Sequence, residues 1–234
     1  MAISFRSLVD VVIDQGLKIL IYGIAGSGKT VAISTTNGAS TLIVSAEAGL
    51  LSIKDAPKNI QVAEVNSRAQ LEEILDYLEK NELPEWVCLD SISEIAEVVL
   101  QEEFKKPSGK DPRKAYGEMG NVMIALVKRF RALPTNVVMT AKIDKVNDDG
   151  TIMYGPGAPG QILSSALPYL FDLVCAMRVT KDSEGNLVRE FQTQTDGKYD
   201  AKDRSGKLDT FEKPSLAHIK QKIMGKPQPQ KKAA

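Results

Sequence analysis

Residues 23–30 read Gly-Ile-Ala-Gly-Ser-Gly-Lys-Thr, a complete G-x-x-x-x-G-K-[ST] pattern, and the apolar run Lys18-Ile-Leu-Ile-Tyr22 stands directly before it. A strand that feeds such a loop into a helix is a phosphate cradle. Gly23, Gly26 and Gly28 permit the backbone angles that turn successive N–H groups onto phosphate oxygens, at the positive end of the helix that follows. Lys29 is placed to reach the outer phosphates, and the Thr30 hydroxyl to ligate a magnesium ion bridging them. Ala25, Ser27 and Val31 complete the stretch that would enclose the nucleotide. The expected cofactors are therefore ATP and Mg2+.

A phosphate loop needs a parallel sheet behind it, and the rest of the chain supplies the pattern. Strand-like and helix-like segments alternate, the signature of an α/β fold with a mostly parallel sheet covered by helices on both faces. The expected elements are helix 7–15, strand 18–22, helix 28–36, strand 41–45, helix 67–80, strand 86–90 and helix 93–104. A loop, helix 116–132, strand 136–141, loop 143–160 and helix 161–169 follow. Strands near 171–180, 187–195 and 198–202 and a helix over 214–224 close the pattern. Asp182-Ser-Glu-Gly-Asn186 reads as a hairpin turn, which makes the late strands antiparallel additions at one sheet edge. With 234 residues, 43% hydrophobic, there is material for one full core, expected over 17–224 between a leader at 1–16 and a disordered basic tail at 225–234. No apolar run approaches the roughly 20 residues that span a bilayer, and the start lacks a signal peptide's apolar centre, so a cytoplasmic protein is expected. Cys88 and Cys175 lie in apolar runs without CxxC spacing and read as buried thiols; His218, the only histidine, reads as a surface or packing residue.

Trp86-Val-Cys-Leu-Asp90 is an apolar strand ending in a carboxylate, which would sit at the sheet's carboxyl edge opposite Thr30 and hold the magnesium hydration shell. Thr30 and Asp90 are thus the metal-site candidates. Glu47 follows the strand after the loop helix and is placed either to polarise a water facing the terminal phosphate or to be an ordinary surface acid. Formal charge is zero overall, but residues 64–103 are rich in acids and the next stretch is basic. Lys105, Lys106, Lys110, Arg113, Lys114, Lys128, Arg129 and Arg131 are candidate polyanion contacts, with a solvated face as the alternative.

Together these residues resemble the RecA family, in which a glutamate after the second core strand is the catalytic base and the Walker B strand ends in Asp-Ser. The resemblance implies that Glu47 is the base. Residues 114–121 look like the region after the first DNA-binding loop and 136–142 like the sensor strand, which brings Thr140 to the nucleotide, although Thr140 and Lys142 stand where RecA carries asparagine and glutamine. Residues 153–160 look like the second DNA-binding loop, which adds Lys145 to the DNA contacts; Tyr116 and Tyr154 would stack on bases or pack in the core. Ala201-Lys202-Asp203-Arg204 resembles the K-x-R element of DnaB-type ring helicases, whose cations reach a neighbouring subunit's γ-phosphate. With no added domain expected, the whole is most similar to the phage Sak-group ATPases. That resemblance implies ATP hydrolysis at the interfaces of a homo-oligomer, ring or helical filament, and annealing or recombination of single-stranded DNA, with a single-stranded DNA-binding protein as a further partner. A ring translocase or helicase is the alternative, and a P-loop kinase of a small acceptor the third.

Overall fold

The computed structural model describes residues 15–47, 49–148 and 150–225. The expected helix at 7–15, the leader 1–16 and the tail 225–234 lie almost wholly outside them. A single sheet organises the chain, in the order β10-β8-β7-β1-β5-β4-β2-β3. Its parallel body is β1 (Lys18–Gly23), β2 (Thr41–Ser45), β3 (Ile60–Glu64), β4 (Trp86–Asp90), β5 (Asn136–Asp148) and β7 (Leu173–Lys181). β8 (Leu187–Gln192), β9 (Lys202–Asp203) and β10 (Phe211–Glu212) join one edge antiparallel, as the turn at 182–186 implies.

Alternation along the central strands sorts side chains onto two faces. Leu20, Tyr22, Val87, Leu89, Val137 and Met139 are buried under α2 (Arg68–Lys80), α3 (Ile92–Lys105), α4 (Pro112–Ala132) and α5 (Gln161–Leu170). Ile19, Ile21, Trp86, Cys88, Val138 and Cys175 are buried on the other face with α1 (Lys29–Ile33) and α6 (Leu216–Met224). Both cysteines are buried free thiols, and burial pushes the Cys175 thiol up to about 12. His218 sits half-buried on α6, its Nε2 2.8 Å from a Glu212 carboxylate oxygen. Among the described residues no helix is long and apolar enough to cross a membrane.

Several elements depart from the sequence expectation. The loop expected over 143–160 is largely a hairpin: β5 runs on past Ala141 and pairs antiparallel with β6 (Thr151–Gly157) from Lys142↔Gly157 outward. α1 stops at Ile33 rather than residue 36, because the Ser34 and Thr35 hydroxyls bond back to the Val31 and Ala32 carbonyls and compete with helix propagation. α4 begins at Pro112, four residues earlier than expected, with Asp111 capping it through the Arg113 N–H. β3 and β10 had no counterpart in the sequence reading, and the strand expected at 198–202 is a two-residue β9.

The hairpin is tied to the phosphate-loop strand. The Tyr22 hydroxyl lies 2.9 Å from the Tyr154 carbonyl and 2.8 Å from that of Asp200. Tyr154 also pairs through its own main chain with Lys198 and Asp200, and its ring stacks on Tyr199 at 5.2 Å. Packing, not an open stacking face, describes Tyr154. At the opposite end of β1 from the phosphate loop, the buried Lys18 donates to the carbonyls of Gln15, Leu133 and Thr135 at 2.5–2.8 Å.

Candidate active site

The phosphate loop leaves a fully buried strand and turns on two left-handed glycines, Gly26 at φ 72° and Gly28 at φ 104°, the latter preceding α1. A side chain at Gly28 would be strained there whatever its size. With α1 only five residues long, the local N–H groups of the loop, more than an extended helix dipole, supply the positive field. Lys29 Nζ donates to the carbonyls of Gly23 and Ile24, both at 2.9 Å, so the ammonium is held over the loop. Burial lowers its pKa, and the carboxylates of Asp90 and Glu47 oppose that shift. The Ser27 hydroxyl is buried with no partner among the described residues.

β4 delivers Asp90 to the same place. It is nearly buried, and its two oxygens accept from Thr30 Oγ1 at 2.8 Å and Thr140 Oγ1 at 2.5 Å. Thr140 is fully buried in β5, the strand inserted between β1 and β4, and acts on the site through Asp90 rather than by lining the cleft. Glu47 follows β2 in a turn built by Ser45, whose hydroxyl donates to the Glu47 carbonyl at 2.8 Å and accepts its N–H at 3.2 Å. The Glu47 carboxylate then accepts from Ser91 Oγ at 3.2 Å. Lys142, at the root of the hairpin, is ion-paired to Glu94 in the first turn of α3, and this partner raises its pKa. The Lys142 N–H also donates to Ser93 Oγ, which donates to the Gly157 carbonyl across the hairpin.

Lys29, Thr30, Asp90 and Glu47 therefore converge on one cleft of about 1180 Å³, joined there by Ser91, Glu94, Lys142 and Arg189. The residues fit a magnesium nucleotide: a cradle of left-handed glycines, an orphaned buried hydroxyl, and a hydroxyl–carboxylate pair at the foot of the loop. Among the described residues no group of three or more His, Cys, Asp or Glu side chains converges, so an ion held by Thr30 and Asp90 would take its other ligands from water and phosphate oxygens. The sequence reading missed Arg189, Glu94 and the positioning role of Ser91. Ser91-Ile-Ser-Glu94 carries a readable capping-box signal, and Ser91 does cap α3 by accepting the Glu94 N–H.

Two other predicted groups stand apart from the cleft. Lys202 and Arg204 follow the register of β9 to the start of β7, beside Ile19 at the sheet edge opposite the phosphate loop. Lys202 Nζ donates to the Pro168 carbonyl, and Arg204 pairs with Asp172 at 3.1 Å. Neither reaches the cleft of its own chain. Lys105, Lys106, Lys110, Arg113, Lys114 and Lys145 are all exposed, with Lys106 paired to Glu103. Tyr116 packs edge-on to Phe104 yet keeps 40% of its surface exposed, and a side chain on Gly160 would meet its ring. The start of α4 thus adjoins the segment that follows the hairpin.

No curated protein matches the chain significantly. A family model does match, that of an AAA domain, over residues 15–205. The match takes in the phosphate loop, Glu47, Asp90, the hairpin and the strands to Arg204, and the chain accordingly belongs to the AAA domain family of P-loop ATPases.

Proposed function

We propose that this protein hydrolyses ATP at subunit interfaces of a homo-oligomer and uses that cycle to bind and anneal or recombine single-stranded DNA, as the resemblance to the phage Sak-group ATPases suggests. The observation that carries the hydrolytic part is Glu47, held by Ser91, the residue that follows Asp90, in the cleft that Lys29 and the Thr30–Asp90 pair also line. Loop amides and Lys29 bind the phosphates. Thr30 and Asp90 would hold a magnesium ion, which would neutralise phosphate charge. Glu47 accepts the proton of the attacking water while the oxygen bonds to the terminal phosphorus and the bond to the bridging oxygen breaks, giving ADP and phosphate. Lys202 and Arg204 serve a neighbouring subunit's cleft, in keeping with their distance from their own.

The hairpin of β5 and β6 starts at the cleft, and the exposed cations of 105–114 lie near the segment that follows it; such a surface suits a backbone-tracking, sequence-independent contact. The test is anisotropy of a labelled single strand with a non-hydrolysable ATP analogue at low salt, run beside ATP turnover with and without DNA. Lys29→Ala is the control, expected to lose nucleotide binding and with it any nucleotide-dependent DNA binding. Turnover without measurable affinity for single strands would leave an ATPase and remove the recombinase.

A further inference from the structure

The cleft has a second end that the hydrolytic residues do not occupy. Of the residues that line it, Asp90, Glu47 and Glu94 follow from β2 and β4 on one side of β1, whereas Met177 and Arg189 come from β7 and β8 on the other, with Pro214 just after β10. Arg189 comes from β8, where it pairs with Val179, two residues from the Phe191–Met177 pair. By strand alternation it shares the face on which Phe191 is buried with α1 and α6. Being further toward the carboxyl edge of the sheet, it overhangs the phosphate loop. Its Nε donates to the Ser27 carbonyl at 3.2 Å, and its Cδ lies 3.2 Å from where a Cβ on Gly28 would stand. Among the described residues no hydrogen bond or ion pair holds its two terminal nitrogens. The other cations lining the cleft differ, since Lys29 is bonded to loop carbonyls and Lys142 to Glu94.

A triphosphate lying on residues 23–30 must direct its terminal phosphate toward Thr30, Asp90 and Glu47, because a metal and a general base act only there. Sugar and base then leave by the opposite end. The geometry points to Arg189, with Met177 and Pro214, as the nucleoside subsite: the planar guanidinium, oriented by its bond to the loop, faces the base, and the two apolar side chains supply the wall. This rests on the nucleotide reading above and adds to it a contact that recognises the nucleoside, separate from the phosphate machinery.

The test separates nucleoside from phosphate. Calorimetric affinities for magnesium ATP and for magnesium inorganic tripolyphosphate are measured on the full chain and on Arg189→Met, which keeps the stem over Gly28 and removes the guanidinium. ATP affinity is expected to fall about tenfold while tripolyphosphate affinity stays as in the wild type. An equal loss for both ligands would make Arg189 a brace of the loop and overturn the subsite. So would no loss for either. Lys29→Ala should weaken both ligands together, and a wild type that binds neither would overturn the nucleotide reading itself.

Discussion

Replacing Glu47 by glutamine isolates one proton from everything else in the cleft. The amide keeps an oxygen to accept from Ser91 Oγ, now at 3.2 Å, and the turn that presents residue 47 is built from main-chain atoms and the Ser45 hydroxyl. Fold and ATP affinity should therefore be those of the wild type, while turnover falls by about 10² or more, the loss of a general base. That corresponds to at least about 2.7 kcal/mol of barrier. Ser91→Ala tests the same assignment from the other side. One hydrogen bond to an ionised carboxylate, worth about 1.5–3 kcal/mol, orients it, so kcat should drop roughly 10- to 100-fold. It will also lower thermal stability, because Ser91 caps α3 and such caps are worth about 1 kcal/mol. In the Glu47→Gln background the kinetic effect of Ser91→Ala should vanish and the stability effect persist, since the serine acts on turnover only through the carboxylate. Steady-state hydrolysis and binding of a fluorescent ATP analogue read both. Near-normal turnover in Glu47→Gln would return this residue to a surface acid, and a full kinetic loss from Ser91→Ala in the double mutant would place the serine in direct contact with the reacting water.

Mixtures of Arg204→Ala and Glu47→Gln subunits should regain hydrolysis that neither has alone, because wild-type halves of the site meet at some interfaces; no recovery at any ratio would refute action in trans. Alanine at Lys110, Arg113 and Lys114 should flatten the dependence of log single-strand affinity on log salt by roughly 2, with oligomer size unchanged. An unaltered slope would take the start of α4 out of the DNA contact. Burial lowers the Lys18 pKa from 10.5 to about 8, so between those values the unfolded chain binds more protons and stability should rise with pH. Below pH 8 both states are protonated and this contribution is flat. In Lys18→Met the rise should shrink by up to about 3 kcal/mol over the window, read by denaturant unfolding at fixed pH.

The chemistry of the site was legible wherever it is local. Gly23 to Thr30 carries its own spacing, and Asp90 is marked by the buried run Trp86–Leu89, so both were read without knowledge of the sheet. Arg189 was not, because it stands 162 positions from Ser27 in sequence and meets it only once β7 has paired with β1 and β8 with β7. The segment 143–160 was misread for a different reason. Its Gly-Pro-Gly-Ala-Pro-Gly run is loop-like in composition, and that outweighed the Asp149-Gly150 turn signal between two alternating arms, the pattern that makes a hairpin. β3 escaped because it is a sheet edge with three of its five residues exposed, and an edge strand needs no apolar face strong enough to announce itself. α1 was overextended because the competing serine and threonine hydroxyls act only through their own carbonyl partners.

The Tyr22 hydroxyl gives the nucleotide strand a handle on the hairpin one residue before Gly23, and the acceptors are main-chain carbonyls. Substituting Tyr154 can strip its ring from Tyr199 and leave that attachment in place. Tyr22→Phe does the reverse, removing one oxygen from a fully buried ring and altering no phosphate-binding or basic residue. The side-chain tether between the phosphate-loop strand and the hairpin thus rests on a single oxygen atom.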